Sequence, residues 1–301
     1  MAYRGLPIGT ILKKPKSSAP SYFFVIPSIA FLVAILVFPT IYMIMVSFTD
    51  LSLASNVPMK FIGVENYKNI FYDERFSSSL DVTVLFLFVC LTVEFGLGLM
   101  IALAVDSIGE RLKNKLVAIF ILPMMMIPIV AGQMWKVMYF EKAGFFNILL
   151  VYFGYGRIPW LSNETWSKIA IMVTDIWQWT PFMFLLIYAG LQTIPQAPVE
   201  AAVIDGASYL QTLRYVTMPL LRMVIIVAIL FRAMDLFKLF DIINIITGGG
   251  PFLATETMSL YMWILGFRTM EIGYVSALAL LILLISGYIV NLILRRIYRE
   301  R

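Results

Sequence analysis

Six long apolar segments divide the chain, and shorter stretches richer in polar residues separate them. Each segment has about 20 residues or more, the length that crosses the hydrocarbon core of a bilayer as a helix. The alternating pattern of outer-membrane barrel strands is absent. We therefore predict an all-α, polytopic membrane protein with six transmembrane helices. The predicted spans are Tyr22–Phe48, Leu80–Val105, Leu116–Tyr139, Ile169–Leu191, Leu220–Ile245 and Gly273–Leu294.

Composition supports this class, because 61% of the 301 residues are hydrophobic and only 14% are charged. Soluble domains carry about 25% charged residues. The first apolar run is too long for the core of a signal peptide and lacks a small-residue cleavage site, so it is interpreted as a span. The predicted organisation is a tail at 1–21, a six-span domain at 22–294 and a second tail at 295–301.

Basic residues predict the orientation, because lysine and arginine concentrate in cytoplasmic loops. In the six-span interpretation, 13 of the 23 basic residues fall on one side of the membrane, which also holds both termini. Both termini are therefore expected in the cytoplasm, and the net charge of +5 reflects topology and not a nucleic-acid partner. The 13 residues are Arg4, Lys13, Lys14, Lys16, Arg111, Lys113, Lys115, Arg214, Arg222, Arg295, Arg296, Arg299 and Arg301.

The chemistry available to the chain is limited. It has no histidine, and its single cysteine, Cys90, lies inside the second predicted span. Histidine is the commonest general base and metal ligand, and the stretch "TGGGP" lacks the spacing of a nucleotide-binding loop. We expect no catalytic residues, no metal, no cofactor and no enzymatic activity of its own.

A charged stripe runs along the fifth predicted span, where polar residues recur at every third position: Arg232, Asp235, Lys238, Asp241 and Asn244. On a continuous helix the stripe would be about 18 Å long. A charge at the bilayer centre costs about 2.5–3.5 kcal/mol on insertion scales, so the stripe must face protein or water. Its alternating signs exclude a voltage sensor. A helix contact and the wall of a substrate path both remain open.

Two further positions belong to the predicted path. Trp177 and Gln178 lie in the fourth span, where aromatic faces suit sugar rings but also suit ordinary packing. Glu94, in the second span, either faces the cavity or pairs with Arg232, and the sequence does not separate these alternatives.

The loop at about 195–219 is cytoplasmic by the charge rule and yet apolar. Pro198 suits a first helical position, and Val199–Ile204 is predicted to follow as a short helix. Asp205-Gly206 signals the end of that helix, and Ser208 with Gln211 has the spacing of a capping box that begins the next. Pro219 is expected to end this second helix and begin span five. Such an apolar helix predicts docking into a groove on another protein.

This loop resembles the EAA loop of bacterial ABC import permeases, whose pattern is EAA, three residues, G, nine residues and then I-x-L-P. Glu200, Ala201, Ala202, Gly206 and Pro219 match in register, while Val216 and Met218 replace the usual Ile and Leu. "FIGVENYKNIF", "GFFNILL" and "FDIINIITGGGP…TET" are similar to the larger permease type of the maltose and glycerol-3-phosphate importers. The resemblance covers nearly the whole chain.

The resemblance implies a type I ABC importer permease in the cytoplasmic (inner) membrane of a bacterium or archaeon. It implies half of a translocation path for a carbohydrate or polyol. The implied partners are a second, different permease subunit, two ATPase subunits, an extracytoplasmic solute-binding protein and membrane lipid. ATP hydrolysis would belong to the ATPase subunits, and the implied coupling residues are Glu200, Ala201, Ala202, Asp205, Gly206 and Pro219.

Two other functions remain open at this point. In a secondary transporter, Asp235, Asp241 and Glu94 would relay protons, but the apolar cytoplasmic helix would lack a partner. An assembly or scaffold protein would leave the charged stripe unexplained.

Overall fold

The computed structural model describes residues 20–55 and 57–299, so most of the predicted tail at 1–21 and the last two residues of the tail at 295–301 lie outside the described residues. The described residues are mostly helical and contain no β-strand, which confirms the predicted fold class. The helices are α1 Pro20–Leu32, α2 Phe38–Val46, α3 Glu65–Ile70, α4 Glu74–Asp106, α5 Glu110–Ile121, α6 Pro128–Met138, α7 Phe145–Tyr152, α8 Glu164–Leu191, α9 Gln196–Ile204, α10 Tyr209–Thr212, α11 Met218–Leu236, α12 Asp241–Ile246, α13 Met258–Trp263 and α14 Ile272–Arg299.

Three helical stretches among the described residues are long and apolar enough to cross a membrane: Val25–Val46, Glu74–Asp106 and Glu164–Leu191. A fourth candidate is a pair, Leu112–Met125 and Pro128–Met138, that bends by 89° at its break. Ile272–Tyr288 is a shorter apolar helix. The chain is thus a multi-pass membrane protein, and the count of six spans stays a prediction.

The third predicted span is the bent pair. A 3₁₀ turn at Leu122–Met125 follows α5, and α6 begins at Pro128 after an extended residue at Met126. A proline cannot donate a backbone hydrogen bond, and it disfavours helical geometry in the residue before it. These two effects explain why the span breaks between Met126 and Pro128.

Helices α4, α8 and α11 form the central bundle. A Cβ atom added at Gly98 of α4 would lie 2.7 Å from the Cβ of Met183 on α8, so the glycine is what allows these two backbones to approach. Phe184 and Ile187 of α8 are fully buried in the same packing layer, as is Ala102 of α4. The bundle brings together charged residues of α4, α8 and α11.

A cluster of polar residues fixes the first turn of α4. Asp73 caps the helix and accepts hydrogen bonds from the hydroxyls of Tyr261 and Tyr274, at 2.6 and 2.7 Å. Burial opposes ionisation of Asp73, but the hydrogen bonds from the two tyrosines and from the backbone amides of Phe76 and Arg75 outweigh it and lower the pKa of Asp73. The carboxylate is therefore stabilised in its charged form.

Candidate translocation and coupling sites

A buried ion cluster lies at the centre of the α4, α8 and α11 bundle. The guanidinium of Arg232 binds Glu94 through two bonds, Nε to Oε2 at 2.7 Å and Nη2 to Oε1 at 2.9 Å. The same guanidinium donates to Asp175 on α8 and, at 2.7 Å, to Asp235 one turn further along α11. Glu94 and Asp175 are fully buried and Arg232 is 1% exposed. One arginine therefore joins three helices.

The cluster also orients two side chains at its edge. Trp179 of α8 lies with its ring 5.0 Å from the Arg232 guanidinium carbon, the geometry of a cation–π contact. The Asp235 side chain is 53% exposed, although one of its oxygens accepts from Arg232. The buried guanidinium of Arg232 thus holds the Trp179 ring and the half-exposed Asp235 carboxylate in place.

Cys90, Glu94 and Asp175 could hold a metal ion by distance alone, because their ligand atoms lie within 4.8 Å of one another. Glu94 and Asp175, however, already accept hydrogen bonds from Arg232. The protein supplies its own cation at this position, so the chemistry of the cluster is that of an ion pair.

The predicted continuous fifth span is wrong, because α11 ends at Leu236 and α12 begins at Asp241. The break exposes backbone carbonyl groups that other side chains then bind. The hydroxyl of Thr257 donates to the carbonyl of Leu239 at 2.8 Å, and that of Ser259 donates to the carbonyl of Phe237 at 3.3 Å. Irregular backbone is tolerated at membrane depth where such partners exist.

The charged stripe is consequently interrupted after Asp235. Lys238 lies in the break, Asp241 is the first residue of α12, and both are exposed and form no ion pair with the described residues. Asn244 is half-buried on α12. The stripe therefore separates into the buried Arg232, the half-exposed Asp235 that is bound to it, and three residues at or beyond the break, Lys238, Asp241 and Asn244.

Trp177 and Gln178 lie in packed surroundings. Trp177 meets the ring of Trp135 edge-on at 5.4 Å and packs against a buried hydrophobic cluster. Gln178 is fully buried, and its Nε2 donates at 2.8 Å to the carbonyl of Met126, at the break between α5 and α6. Its role is to satisfy the backbone of the broken span.

The loop at 195–219 has the predicted helix, corner and helix arrangement. Gly206 follows α9 with a φ of +81°, a conformation that glycine adopts without strain. Ser208 and Gln211 form a complete capping box, with the Gln211 side chain accepting from the Ser208 amide at 2.7 Å. The side chains of Val203, Ile204 and Leu210 are 62%, 84% and 72% exposed. An apolar surface therefore projects from this loop.

Two prolines in the loop behave differently from the prediction. Helix α9 begins at Gln196, after Pro195, so Pro198 is its third residue and not its first. Pro219 does not end the second helix, because α10 continues through a π-helical turn at Leu213–Thr217 into α11. Proline removes a donor and clashes with the preceding turn, and the wider π turn accommodates it.

One of the remaining coupling candidates lines a cavity of about 840 Å³ that lies between α9, α10 and the ends of α4 and α8. Glu200 lines it together with Asp106, the last residue of α4. Ala201 and Asp205 are exposed, and Ala202 is half-buried. The loop thus lies at the Asp106 end of α4.

Residues 94–300 match the family described as binding-protein-dependent transport system inner membrane component. Over 292 residues the chain is 35% identical to the trehalose/maltose transport system permease protein MalF of Thermococcus litoralis, covering 95% of this chain and 97% of that one. It is 34% identical over 272 residues to the sulfoquinovosyl glycerol transport system permease protein SmoG of Agrobacterium fabrum, covering 89% of this chain and 87% of that one.

The chain belongs to the binding-protein-dependent permease family. A solved bacterial alginate ABC transporter, in complex with an alginate-bound periplasmic protein, has the same fold, with a TM-score of 0.80 at 19% identity over 91% of this chain and 92% of that one. The permease is therefore a transmembrane subunit of an ABC importer and not a secondary transporter, and ATP hydrolysis belongs to a separate subunit.

Sequence reasoning about the permease missed two residues of the cluster. Asp175 was not selected, although an acidic residue inside an apolar span is a functional candidate by default. Trp179 is not among the predicted path residues, although it is adjacent to Trp177 and Gln178, because the sequence does not show which side of α8 faces Arg232. Glu94 pairs with Arg232, which decides between its two alternatives.

Proposed function

We propose that the chain forms half of the translocation path of an ABC importer for a carbohydrate or polyol. The observation that carries this proposal is that Trp179 and the half-exposed Asp235 both contact the buried Arg232, which places an aromatic ring and a carboxylate at one site. Sugars bind proteins through aromatic rings under their apolar C–H faces and through carboxylates that accept from their hydroxyls. The names of the relatives support the same class, because they specify trehalose or maltose and sulfoquinovosyl glycerol.

In this proposal Arg232 is a positioning residue. It binds two fully buried carboxylates and holds the Trp179 ring and the Asp235 carboxylate in fixed orientations, while its own side chain is 1% exposed. The predicted path residues Lys238, Asp241 and Asn244 remain candidates at the break between α11 and α12. Trp177 and Gln178 would support the path through packing and not through contact with solute.

Transport measurements on reconstituted complex test the path. Asp235→Asn and Trp179→Ala should raise the solute concentration at half-maximal transport by about tenfold or more, because each removes a direct contact with solute. Asp81→Asn, which changes an exposed carboxylate on α4, is the matched control and should transport normally. Parental transport in both path variants would exclude this surface from the path.

The proposed coupling element is the loop at about 195–219, seated on an ATPase subunit. Its exposed apolar side chains, Val203, Ile204 and Leu210, need a protein partner in the aqueous phase. The proposed assembly contains a second, different permease subunit, two ATPase subunits and an extracytoplasmic solute-binding protein. Residues Glu200, Ala201, Ala202, Asp205, Gly206 and Pro219 are the proposed coupling residues.

The proposed topology has six spans within residues 22–294, tails at 1–21 and 295–301, and both termini in the cytoplasm. Cysteine labelling tests it, because the native Cys90 is buried. A cysteine at Ala143, which is exposed in the loop beside Gly144, should react with an impermeant thiol reagent from outside, and one at Ser208 should react only from inside. The reverse pattern would refute the orientation.

A further inference from the structure

The outer loop that follows α12 holds its chain in an unusual backbone conformation. Gly248 and Gly249 have φ values of +62° and +95°, and two residues that are not glycine, Phe252 and Leu253, have φ values of +49° and +63°. A bulky residue with positive φ is uncommon and strained, and such strain concentrates at functional sites. The strain falls on Phe252 and Leu253, which form the tip of the loop.

The base of this loop is firmly anchored. The hydroxyl of Thr255 donates to the carbonyl of Gly250 at 2.8 Å and lies 2.8 Å from the hydroxyl of Thr247 across the loop. Thr255 and Glu256 are 0% and 1% exposed. Glu256 accepts two hydrogen bonds of 2.7 Å from Arg75 in the first turn of α4. The tip is therefore held in place from below.

The tip presents an aromatic ring to its surroundings. Phe252 is 89% exposed, the largest fraction for any large hydrophobic side chain among the described residues. Two further exposed aromatic residues, Phe71 and Tyr72, immediately precede the α4 cap residue Asp73, and their side chains are 74% and 87% exposed. The bond between Arg75 and Glu256 ties these two segments together.

The position of the tip indicates the side from which a partner arrives. Glu256 is bound to the first turn of α4, whereas the last residue of α4, Asp106, lines the cavity beside the coupling loop. With 33 residues, α4 separates these ends by about 50 Å. If the coupling loop meets the ATPase, the tip lies on the opposite face of the membrane, where a solute-binding protein docks.

We propose that Phe252, supported by Phe71 and Tyr72, is an anchor for the solute-binding protein; this inference rests on the proposed importer function. A rigid exposed aromatic side chain binds at low entropic cost, and such residues dominate protein interfaces. Insertion into lipid fits less well, because membrane anchors are flanked by lysine and arginine, and the tip sequence "GGGPFLAT" has neither.

Protection from labelling tests the proposal directly. Phe252→Cys in assembled complex should react with an impermeant thiol reagent, and the solute-binding protein whose loaded form stimulates ATP hydrolysis by the wild type should slow that reaction at least about tenfold. Phe153→Cys, at another exposed aromatic position, should label at the same rate with and without that protein. Unprotected labelling of Phe252→Cys at saturating binding protein would overturn the proposal.

Activity measurements separate this inference from the proposed function. Phe252→Ala and Phe252→Asn should raise the binding-protein concentration at half-maximal ATPase stimulation by about tenfold, with the same maximum; Asn tolerates positive φ, so its agreement with Ala assigns the effect to the ring. If the binding protein stimulates ATP hydrolysis by the wild type and the variants need no higher concentration of it, only the anchor is refuted. If no binding protein stimulates ATP hydrolysis by the wild type, the proposed importer function is refuted. Quenching of a fluorophore on Phe252→Cys by brominated lipid would place the tip in the membrane and overturn the anchor.

Discussion

The Arg232 cluster buries charged side chains, whereas the loop at 195–219 exposes apolar ones, and each arrangement is the opposite of what is usual in proteins. The cluster buries three charged side chains, Arg232, Glu94 and Asp175, between helices α4, α8 and α11. The loop exposes apolar side chains such as Ile204 in a segment proposed to be cytoplasmic. Buried charges are tolerated only when they are paired, and exposed apolar surface on a protein marks a docking site.

The two regions differ in whether their side chains find partners within the same chain or require another subunit. Arg232 finds its partners on α4, α8 and α11 of the same chain, so each buried charge of the cluster has an ionic partner within the chain. Ile204 is 84% exposed, so the loop is completed only by another subunit. Substitutions of Arg232, Glu94 or Asp175 should therefore damage folding, whereas substitutions in the loop should damage assembly and leave the fold intact.

The largest effect is expected for Arg232→Leu, which leaves Glu94 and Asp175 buried without their cation. Removing one partner of a buried ion pair costs roughly 3–5 kcal/mol. We expect a large loss of thermal stability and of folded protein, measured by size-exclusion chromatography with a fluorescence readout in detergent. Adding Glu94→Gln and Asp175→Asn should restore much of the stability, and the absence of any rescue would contradict the ion-pair explanation.

Gly206→Val tests the loop through its backbone. Nothing lies within 4 Å of an added Cβ, so the effect comes from the φ of +81° and not from a clash. The left-handed region costs roughly 1–2 kcal/mol for residues with a Cβ, and more for β-branched ones. We expect α9 to shift, solute-stimulated ATP hydrolysis to be lost, and the helices to remain folded.

The control for this variant is Gly206→Asn, because asparagine tolerates positive φ and should retain most of the stimulation. A pull-down of the ATPase subunit beside the hydrolysis assay shows whether coupling or binding is lost. Full stimulation with intact assembly in Gly206→Val would mean that the loop is not the coupling element.

Ile204→Asp tests the loop through its surface. The side chain is 84% exposed in the isolated chain, so the charge should leave the thermal stability of the subunit nearly unchanged. The same charge would be buried against the ATPase, and we expect its affinity to fall by about tenfold or more. The matched control is Gln196→Asp, a polar residue at the start of the same helix. Equal ATPase binding by Ile204→Asp and wild type would contradict the docking proposal.

The smallest effect concerns Asp73, whose exposure is intermediate between those of the two regions. Its pKa is lowered below the ordinary value of 3.8, so its stabilising contribution is complete above that value and is lost as the pH falls through the lowered pKa. Thermal stability of the wild type should therefore decline below about pH 4 more steeply than that of Asp73→Asn. Parallel pH profiles would show that the tyrosine hydrogen bonds do not stabilise the charged form.

The sequence was sufficient to predict the helical class, several apolar spans and the arrangement of helix, corner and helix in the loop at 195–219. Gly206 and the capping box of Ser208 and Gln211 were predictable because helix ends depend on local backbone geometry and on residues a few positions apart. The family pattern around Glu200 is equally local, and the family match confirms the importer class.

The break after α11 and the partners of Arg232 became known only from the tertiary structure. A stripe at every third position implies one continuous face only if the helix continues, but α11 ends at Leu236. The freed carbonyls of Leu239 and Phe237 are bound by Thr257 and Ser259, which follow them by 18 and 22 residues. The pairing of Arg232 with Glu94 spans 138 residues of sequence. The physical reason is that membrane charges choose their partners by position in the packed bundle, which spacing along one helix cannot reveal.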